Sequence, residues 1–291
     1  MALIAPAYGT AQGFARSYEL RVVTADESVV TRQILQSLQR RYPALQGSSD
    51  ANALAARKGP AVYLALGPSA LRAALSVELD APIISLFTSS QAYAELVGRG
   101  PPNRQQVTAI YAEASPTQQM QLISRLFGRR VTVGVLITEN TAYLQPLLRQ
   151  AARNANLELD IERVQRDDSV VRALTRVSAA GALLAVPDSA LYTPATLRNV
   201  LESTYRRNQP VVGFSTALVA AGTMATAYST IDDVIAQLDE VLDATSAGRT
   251  PEPQFPRYWR VAINESVARS LNVIVNDNVR TLGERPPERP R

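Results

Sequence analysis

The sequence predicts an α/β protein made of two Rossmann-like lobes, each built on a parallel sheet. Strand and helix patterns alternate along most of the 291 residues, and this alternation runs through twice in succession. Central strands such as residues 131–137 are almost continuously apolar, which is typical of parallel strands covered on both faces. The chain is also long enough for two lobes of ordinary domain size.

The first run of the alternation has four clear strand patterns and a weaker fifth. Ser28 is placed to cap the first helix, which Pro43 ends. A short helix carrying Leu71 and Leu75 and another through Leu96 follow later strands. We expect strands at residues 19–23, 44–46 (the weaker pattern), 61–66, 81–87 and 107–111.

The second run begins with a helix opened by Ser115 or Thr117. Further helices are expected through Leu144 and Ala151, around residues 170–177, and from Thr193 onward. We expect its strands at residues 131–137, 157–161, 181–186 and 210–214. Ligands of such sheets bind beyond the carboxyl ends of the strands, and here those ends are rich in Ser, Thr and Asn.

The composition argues against an enzyme. The chain has no Cys and no His, which removes thiol nucleophiles, imidazole bases and the usual zinc ligands. Its one lysine, Lys58, lies in no phosphate-binding motif. We therefore predict no catalytic residues, no metal and no cofactor. The fractions of hydrophobic and charged residues, 46% and 19%, are those of a globular protein.

The net charge of +4 does not indicate a nucleic-acid-binding protein. The arginines occur as scattered pairs, such as Arg40–Arg41 and Arg129–Arg130, and not as a basic stripe with interleaved aromatic residues. We interpret them as solvated charges on helix faces and ends.

The two ends of the chain are expected to lie outside the lobes. Residues 1–17 are apolar with small residues near Gly9, so we interpret them as a signal-peptide remnant or a leader, although a basic start is missing. This favours export to the periplasm, with a membrane tether left open. Residues 279–291 are rich in Pro, Glu and Arg and are expected to be a disordered tail.

Three sets of motifs together resemble the substrate-binding proteins of ABC transporters, in the group that includes tryptophan- and tyrosine-binding members. One set is a strand end with a small-residue loop and the following strand, and another is the passage from the first run to the second. The third is a series of short motifs toward the C-terminus. The sets lie at residues 66–70 with 81–84, at 107–110 with 130–136, and at 210–213, 220–225, 248–251, 257–264 and 268–271.

The resemblance implies a type I periplasmic binding protein fold with three crossings between the lobes. The first lobe would be residues 18–112 plus 229–250, and the second 113–228 plus 251–278. It further implies a monomer that closes by a hinge on a small ligand, an amino acid or similar metabolite, and then meets the membrane permease of an ABC transporter.

Two departures from the family pattern motivate an alternative function. Ala109 stands where the family commonly has glycine, and residues 229–235 lack the glycine that usually opens the next helix. The alternative is a binding-protein-like sensor or interaction module that has lost transport and works with a receptor or signalling partner.

Nine residues at strand ends or crossings are candidate ligand contacts. Asp188 would face a ligand ammonium group, and the tyrosines would stack on the ligand. As alternatives, the polar residues could be ordinary caps or turn residues and the tyrosines could be core. The nine are Gly67, Ser69, Thr88, Ser89, Tyr111, Asn140, Asp188, Ser215 and Tyr228.

Two acidic pairs, Asp167–Asp168 and Asp232–Asp233, could in principle run acid–base chemistry. Both precede apolar helical patterns, so we interpret them as helix caps that complement the helix dipole. Trp259 is expected in the core. An enzyme on this α/β fold remains a third hypothesis, because a fold does not by itself fix a function.

Overall fold

A computed structural model describes residues 18–77, 79, 81–98 and 106–288, and its strands form two separate sheets. The expected leader, residues 1–17, lies outside the described residues. Within the described ranges, no helix combines the length and the apolar character needed to cross a membrane.

The first sheet has five parallel strands in the order β2-β1-β3-β4-β5. Its second strand pairs with β1 a little later in the sequence than the weak pattern indicated. The strands are β1 (Glu19–Val23), β2 (Gln46–Ser48), β3 (Ala61–Leu66), β4 (Ile83–Thr88) and β5 (Val107–Tyr111).

The second sheet has six strands in the order β11-β10-β9-β8-β6-β7. Its last strand runs antiparallel to β10, so this sheet is parallel except at one edge. The strands are β6 (Thr132–Ile137), β7 (Glu158–Arg163), β8 (Ala182–Leu184), β9 (Val211–Val212), β10 (Ala225–Tyr228) and β11 (Arg260–Ile263).

Helices connect the strands and cover both faces of each sheet. In chain order they are α1 (Val29–Arg41), α2 (Ala51–Ala55), α3 (Gly67–Ser76), α4 (Ser90–Val97), α5 (Pro116–Phe127), α6 (Gln145–Asn154), α7 (Val170–Arg176), α8 (Pro194–Tyr205), α9 (Thr216–Ala221), α10 (Ile231–Ser246), α11 (Glu265–Ser270) and α12 (Asp277–Arg280). A 3-10 helix, Glu139–Leu144, follows β6.

Each lobe has an apolar core on both sides of its sheet because successive strand side chains point to opposite faces. In the first sheet, Val22 packs with α1 and α10, whereas the next residue, Val23, packs with α2, α3 and α4. In the second sheet, β6 is covered by α5 and α6 on one face and by α7 and α8 on the other. The apolar core around the first sheet is called the first core and that around the second sheet the second core. Trp259 is buried in the second core, which confirms the prediction that it belongs to the core.

The chain passes between the two sheets three times. It leaves the first sheet after β5, returns after β10 to place α10 on the first core, and leaves again after α10 to form β11. On the last passage, Gln254 pairs with the edge of β5: its N–H donates to the Ala109 carbonyl (2.9 Å) and its carbonyl accepts from the Tyr111 N–H (2.9 Å). The last passage therefore runs beside the end of β5, the strand that leads into the first passage.

The helix α10 begins without glycine because a capping box starts it. The Thr230 hydroxyl accepts from the Asp233 N–H (3.1 Å), and the Asp233 carboxylate accepts from the Thr230 N–H (3.0 Å). The missing family glycine is thus replaced by another standard way of starting a helix.

The structure corrects the expectation of disorder from residue 279. Val279, in α12, is 1% exposed and belongs to the second core. Farther on, Glu284 and Trp259 exchange two backbone hydrogen bonds of 2.9 and 3.1 Å. Val279 and Leu282 pack in the core of the second lobe, which anchors a segment whose composition is otherwise that of a disordered tail.

Candidate functional site

The two lobes contact each other through the loops at the carboxyl ends of their parallel strands. The Tyr143 hydroxyl, from the 3-10 helix after β6, donates to Ser90 Oγ at the start of α4 (2.8 Å). Beside this contact, Gln91 Nε2 donates to Ser189 Oγ (3.2 Å), and the Ser189 N–H donates to Gln91 Oε1 (3.0 Å). The strand ends that should hold a ligand therefore face each other.

A buried carboxylate lies beneath this contact, at the first passage between the sheets. Glu113 is 4% exposed. Its Oε1 accepts from the Ser90 N–H (3.0 Å) and from the Ser90 hydroxyl (2.5 Å), and its Oε2 lies 3.3 Å from the same N–H. Because Ser90 Oγ also accepts from Tyr143, one chain of hydrogen bonds links the second lobe, the first lobe and the passage between them.

Glu113 has no cationic partner among the residues that the structure describes. Burial raises the pKa of its carboxyl group, and the hydrogen bonds from Ser90 only partly oppose this rise. Burial also raises the pKa of the nearby Tyr111 phenol to about 12, with further increases from Glu113 and Glu252. The pKa of the Tyr143 phenol is raised for the same main reason. Both phenols are therefore uncharged at neutral pH.

Glu113 lines a small cavity at the carboxyl edge of the second sheet. The water-accessible volume is about 20 Å³, room for roughly one water molecule. Gln119 is the other polar lining residue, and its amide is already paired with the backbone of Ala227 (3.0 and 3.1 Å). The remaining lining residues are apolar: Ala114, Pro116, Leu144, Leu184, Ala185, Val186, Pro187, Phe214 and Phe255.

Four of the five candidates in the first lobe surround the start of two helices. Gly67 begins α3 with a φ of +82°, a conformation that favours glycine, and Ser69 is exposed in the first turn. Thr88 is fully buried at the end of β4. Ser89 caps α4, with its hydroxyl accepting from the Ala92 N–H (3.2 Å).

The two candidates after β6 and β8 differ in exposure. Asn140 is exposed on the 3-10 helix. Asp188 is 2% exposed, and its carboxylate accepts from the hydroxyls of Thr138 (2.7 Å) and Thr141 (2.6 Å) and from the N–H of Ala190 (3.0 Å). These partners join the turn after β8 to the loop after β6, and the next helix, α8, is capped by Thr193 and not by Asp188.

The three remaining candidates lie near the second sheet and the passages. Ser215 caps α9. Tyr111 packs edge-to-face on Phe255, with ring centroids 5.0 Å apart, and so supports a side chain that lines the cavity. Tyr228 is half-buried on β10, opposite Arg260 of β11.

None of the nine candidates lines the cavity, although three of them have a neighbour that lines it or touches its carboxylate. Ser90 follows Ser89, Pro187 precedes Asp188 and Phe214 precedes Ser215. Adjacent residues at a strand end point in different directions, so the strand ends could be predicted but the inward-pointing residue could not. Ligand contacts by the nine residues stay predictions.

Sequence reasoning missed Glu113 and Tyr143, whereas Ser90 belongs to the polar turn after β4 that could be expected to meet a ligand. For Glu113 the sequence does hold a signal: it is an acidic residue between an apolar strand and the start of a helix, with no Arg or Lys from residue 105 to residue 124. For Tyr143 no such signal exists, because its partner is 53 residues away in the sequence.

The acidic pairs have structural partners. Asp233 receives two hydrogen bonds from the Arg260 guanidinium (2.8 and 2.9 Å) besides capping α10. Asp168 pairs with Arg176 (2.7 Å) at the surface. Across the described ranges, no group of three or more acidic side chains is arranged to hold a metal ion.

Comparison with known proteins gives matches among solved structures alone. No family model and no curated protein sequence matches the chain. A ligand-free, open substrate-binding protein with adhesive properties from Clostridium difficile superposes with a TM-score of 0.67 at 14% identity, covering 91% of this chain and 98% of that one.

Two further structures are similar over comparable lengths. One is an ABC domain in complex with L-Trp from Streptococcus pneumoniae, with a TM-score of 0.60 and 17% identity, covering 90% of this chain and 97% of the other. The other is a conserved domain protein from Vibrio cholerae, with a TM-score of 0.60 and 18% identity, covering 91% and 98%.

The chain has the type I periplasmic binding protein fold. The fold that the sequence motifs implied is therefore confirmed over nine-tenths of the chain. Identities of 14–18% show the fold alone, so ligand and partners are a separate question.

Proposed function

We propose that this protein binds a small solute, an amino acid or a similar metabolite, between its two lobes and closes on it by a hinge at the three passages. The observation that carries the proposal is the buried Glu113 at the first passage. This carboxylate lines a cavity and is linked through Ser90 to Tyr143 of the other lobe. A ligand at Glu113 would contact the hinge and both lobes, so it would favour the closed form by its higher affinity for that form.

Three finer statements belong to the same proposal. The lobes are residues 18–112 plus 229–250 and 113–228 plus 251–278. The nine strand-end candidates add contacts when the lobes close around a ligand. The protein acts outside the cytoplasm, where its closed form is presented to the permease of an ABC transporter. It binds its ligand without converting it chemically.

Thermal denaturation tests solute binding. The protein is unfolded and refolded to remove any carried-over ligand, and is then melted with each member of an amino-acid and metabolite panel. A ligand at about 100 times its Kd stabilises the folded state by about 2.7 kcal/mol, which raises the Tm clearly. X-ray scattering should show a smaller radius of gyration with the same ligand. A panel that leaves the Tm unchanged throughout would contradict solute binding.

Uptake measurements separate transport from sensing. Cells that lack this protein should take up the identified ligand more slowly than cells in which it is restored. Unchanged uptake of a ligand that the purified protein binds would favour the sensor or interaction module instead.

A further inference from the structure

The cavity at the first passage combines one charge with an apolar lining. Glu113 is its acidic residue, and the described lining residues include no Arg or Lys. Phe214 and Phe255 present aromatic rings to it, and leucine, valine and proline side chains form most of the remainder. Sites of this kind bind an apolar ligand body and fix its orientation through a few polar groups.

The Glu113 carboxylate is incompletely satisfied. A carboxylate offers about four acceptor positions. Here Ser90 donates hydrogen bonds of 2.5, 3.0 and 3.3 Å to it and the backbone of Glu113 itself contributes another, but no described cation pairs with it. Burying an ionised carboxylate is costly unless it is paired with a cation. Glu113 can therefore accept a strong hydrogen bond from a cation that enters the cavity.

We propose that the ligand is a small, mainly apolar molecule carrying a protonated amine, and that Glu113 receives this amine. The inference rests on the proposed function, because it names the chemical class read by the same site. An apolar amino acid fits when its ammonium group is directed to Glu113. The amine is the group that the site requires, and a ligand carboxylate is dispensable because no described lining residue is a cation.

Lobe opening must precede binding. The water-accessible volume of about 20 Å³ holds one water and no amine of metabolite size. Separating Tyr143 from Ser90 would open the site next to Glu113 while leaving Ser90 bonded to the carboxylate. The amine then enters beside Glu113, and the lobes close on it.

Isothermal titration of the refolded protein with matched probes tests this inference. Phenethylamine carries an amine without a carboxylate, and 3-phenylpropanoate carries a carboxylate without an amine. Phenylalanine, the third probe, carries both groups. The wild type should bind both amine-bearing probes, and phenethylamine more tightly than 3-phenylpropanoate by about tenfold or more. The same order should hold for 3-methylbutylamine, leucine and 4-methylpentanoate. Preference for an acid over the matching amine would overturn the inference.

Variants assign the effect to Glu113. Glu113→Gln should bind phenethylamine about tenfold or more weakly than the wild type, because the charge is lost while the shape is kept. Glu113→Asp keeps the charge and should still prefer the amine to the acid. Glu202→Gln, which changes an exposed carboxylate on α8, is the control and should leave binding unchanged.

The outcomes separate this inference from the proposed function. If the metabolite panel yields a ligand that is an acid or a neutral molecule, the amine inference is overturned and solute binding stands. The same holds if folded Glu113→Gln binds phenethylamine as tightly as the wild type or, where Gln prevents folding, if Glu113→Asp no longer prefers the amine to the acid. If neither the probes nor the panel bind, both proposals are overturned.

Discussion

Two buried carboxylates lie beside passages between the lobes, and their surroundings are opposite. Asp233, at the start of α10, receives both guanidinium hydrogen bonds from Arg260 of β11 and the N–H of Thr230. Burial alone would raise the pKa of Asp233, but these bonds outweigh burial and lower it. Glu113 has a hydroxyl and an amide from Ser90 and no cation among the described residues, so burial raises its pKa.

The difference separates a carboxylate whose charge is balanced within the protein from the one to which we propose that the ligand binds. The Asp233–Arg260 pair connects a helix on the first core to a strand of the second sheet, so its charge is balanced within the protein. The charge of Glu113 is not balanced, and groups with pKa values shifted by burial are concentrated at functional sites. Three measurements test this distinction.

Removing the charge of Asp233 should have the largest effect on stability. Asp233→Asn leaves the Arg260 guanidinium without its partner and should lower the free energy of unfolding by about 2 kcal/mol. We expect less than the usual cost for a fully buried pair because the Arg260 side chain is 35% exposed. Denaturant unfolding measures the change, and Asp232→Asn, the exposed neighbour, is the control. Equal effects of the two variants would contradict a structural role for the pair.

The pH dependence of stability should differ in sign between the two carboxylates. Because folding raises the pKa of Glu113 above its ordinary value of 4.5, its stabilising contribution is present below that pH and is lost as the pH rises through the folded value. Glu113→Gln should therefore gain stability relative to the wild type as the pH increases above 4.5.

For Asp233 the folded pKa is lowered, so its contribution is present above 3.8 and is lost as the pH falls through the folded value. The deficit of Asp233→Asn relative to the wild type should therefore shrink in acid. Urea unfolding at a series of pH values checks both variants. Parallel curves for Glu113→Gln and the wild type would show that the buried carboxyl group does not titrate abnormally.

The smallest expected effect concerns the contact between the lobes. Tyr143→Phe removes the hydroxyl that donates to Ser90 and should destabilise the contact by about 1 kcal/mol, the usual net value of one hydrogen bond. X-ray scattering of the ligand-free variant should show a larger radius of gyration than the wild type. Tyr205→Phe, on the exposed end of α8, is the control, and equal radii for Tyr143→Phe and the wild type would argue against this link.

Much of the fold could be predicted from the sequence because its signals are local. Continuous apolar runs identified β3, β4 and β6. A polar residue before an apolar helical pattern identified the cap Ser28 and left two candidates for the start of α5, Ser115 and Thr117, of which Ser115 is the cap. The order of alternating elements then restricted the topology to parallel sheets. The short strand β10 and the antiparallel direction of β11 were not predicted, since neither has a distinctive pattern over so few residues.

The sequence by itself determined that the chain forms two α/β lobes with polar strand ends, because side-chain periodicity and turn chemistry act over a few neighbouring residues. Tertiary structure alone decided that Glu113 is buried, that Ser90 is its partner, and that Tyr143 links this pair to the second lobe. The same is true of the order in residues 279–285, which depends on distant apolar partners. Burial and charge balance arise from residues far apart in the chain, so local patterns do not specify them.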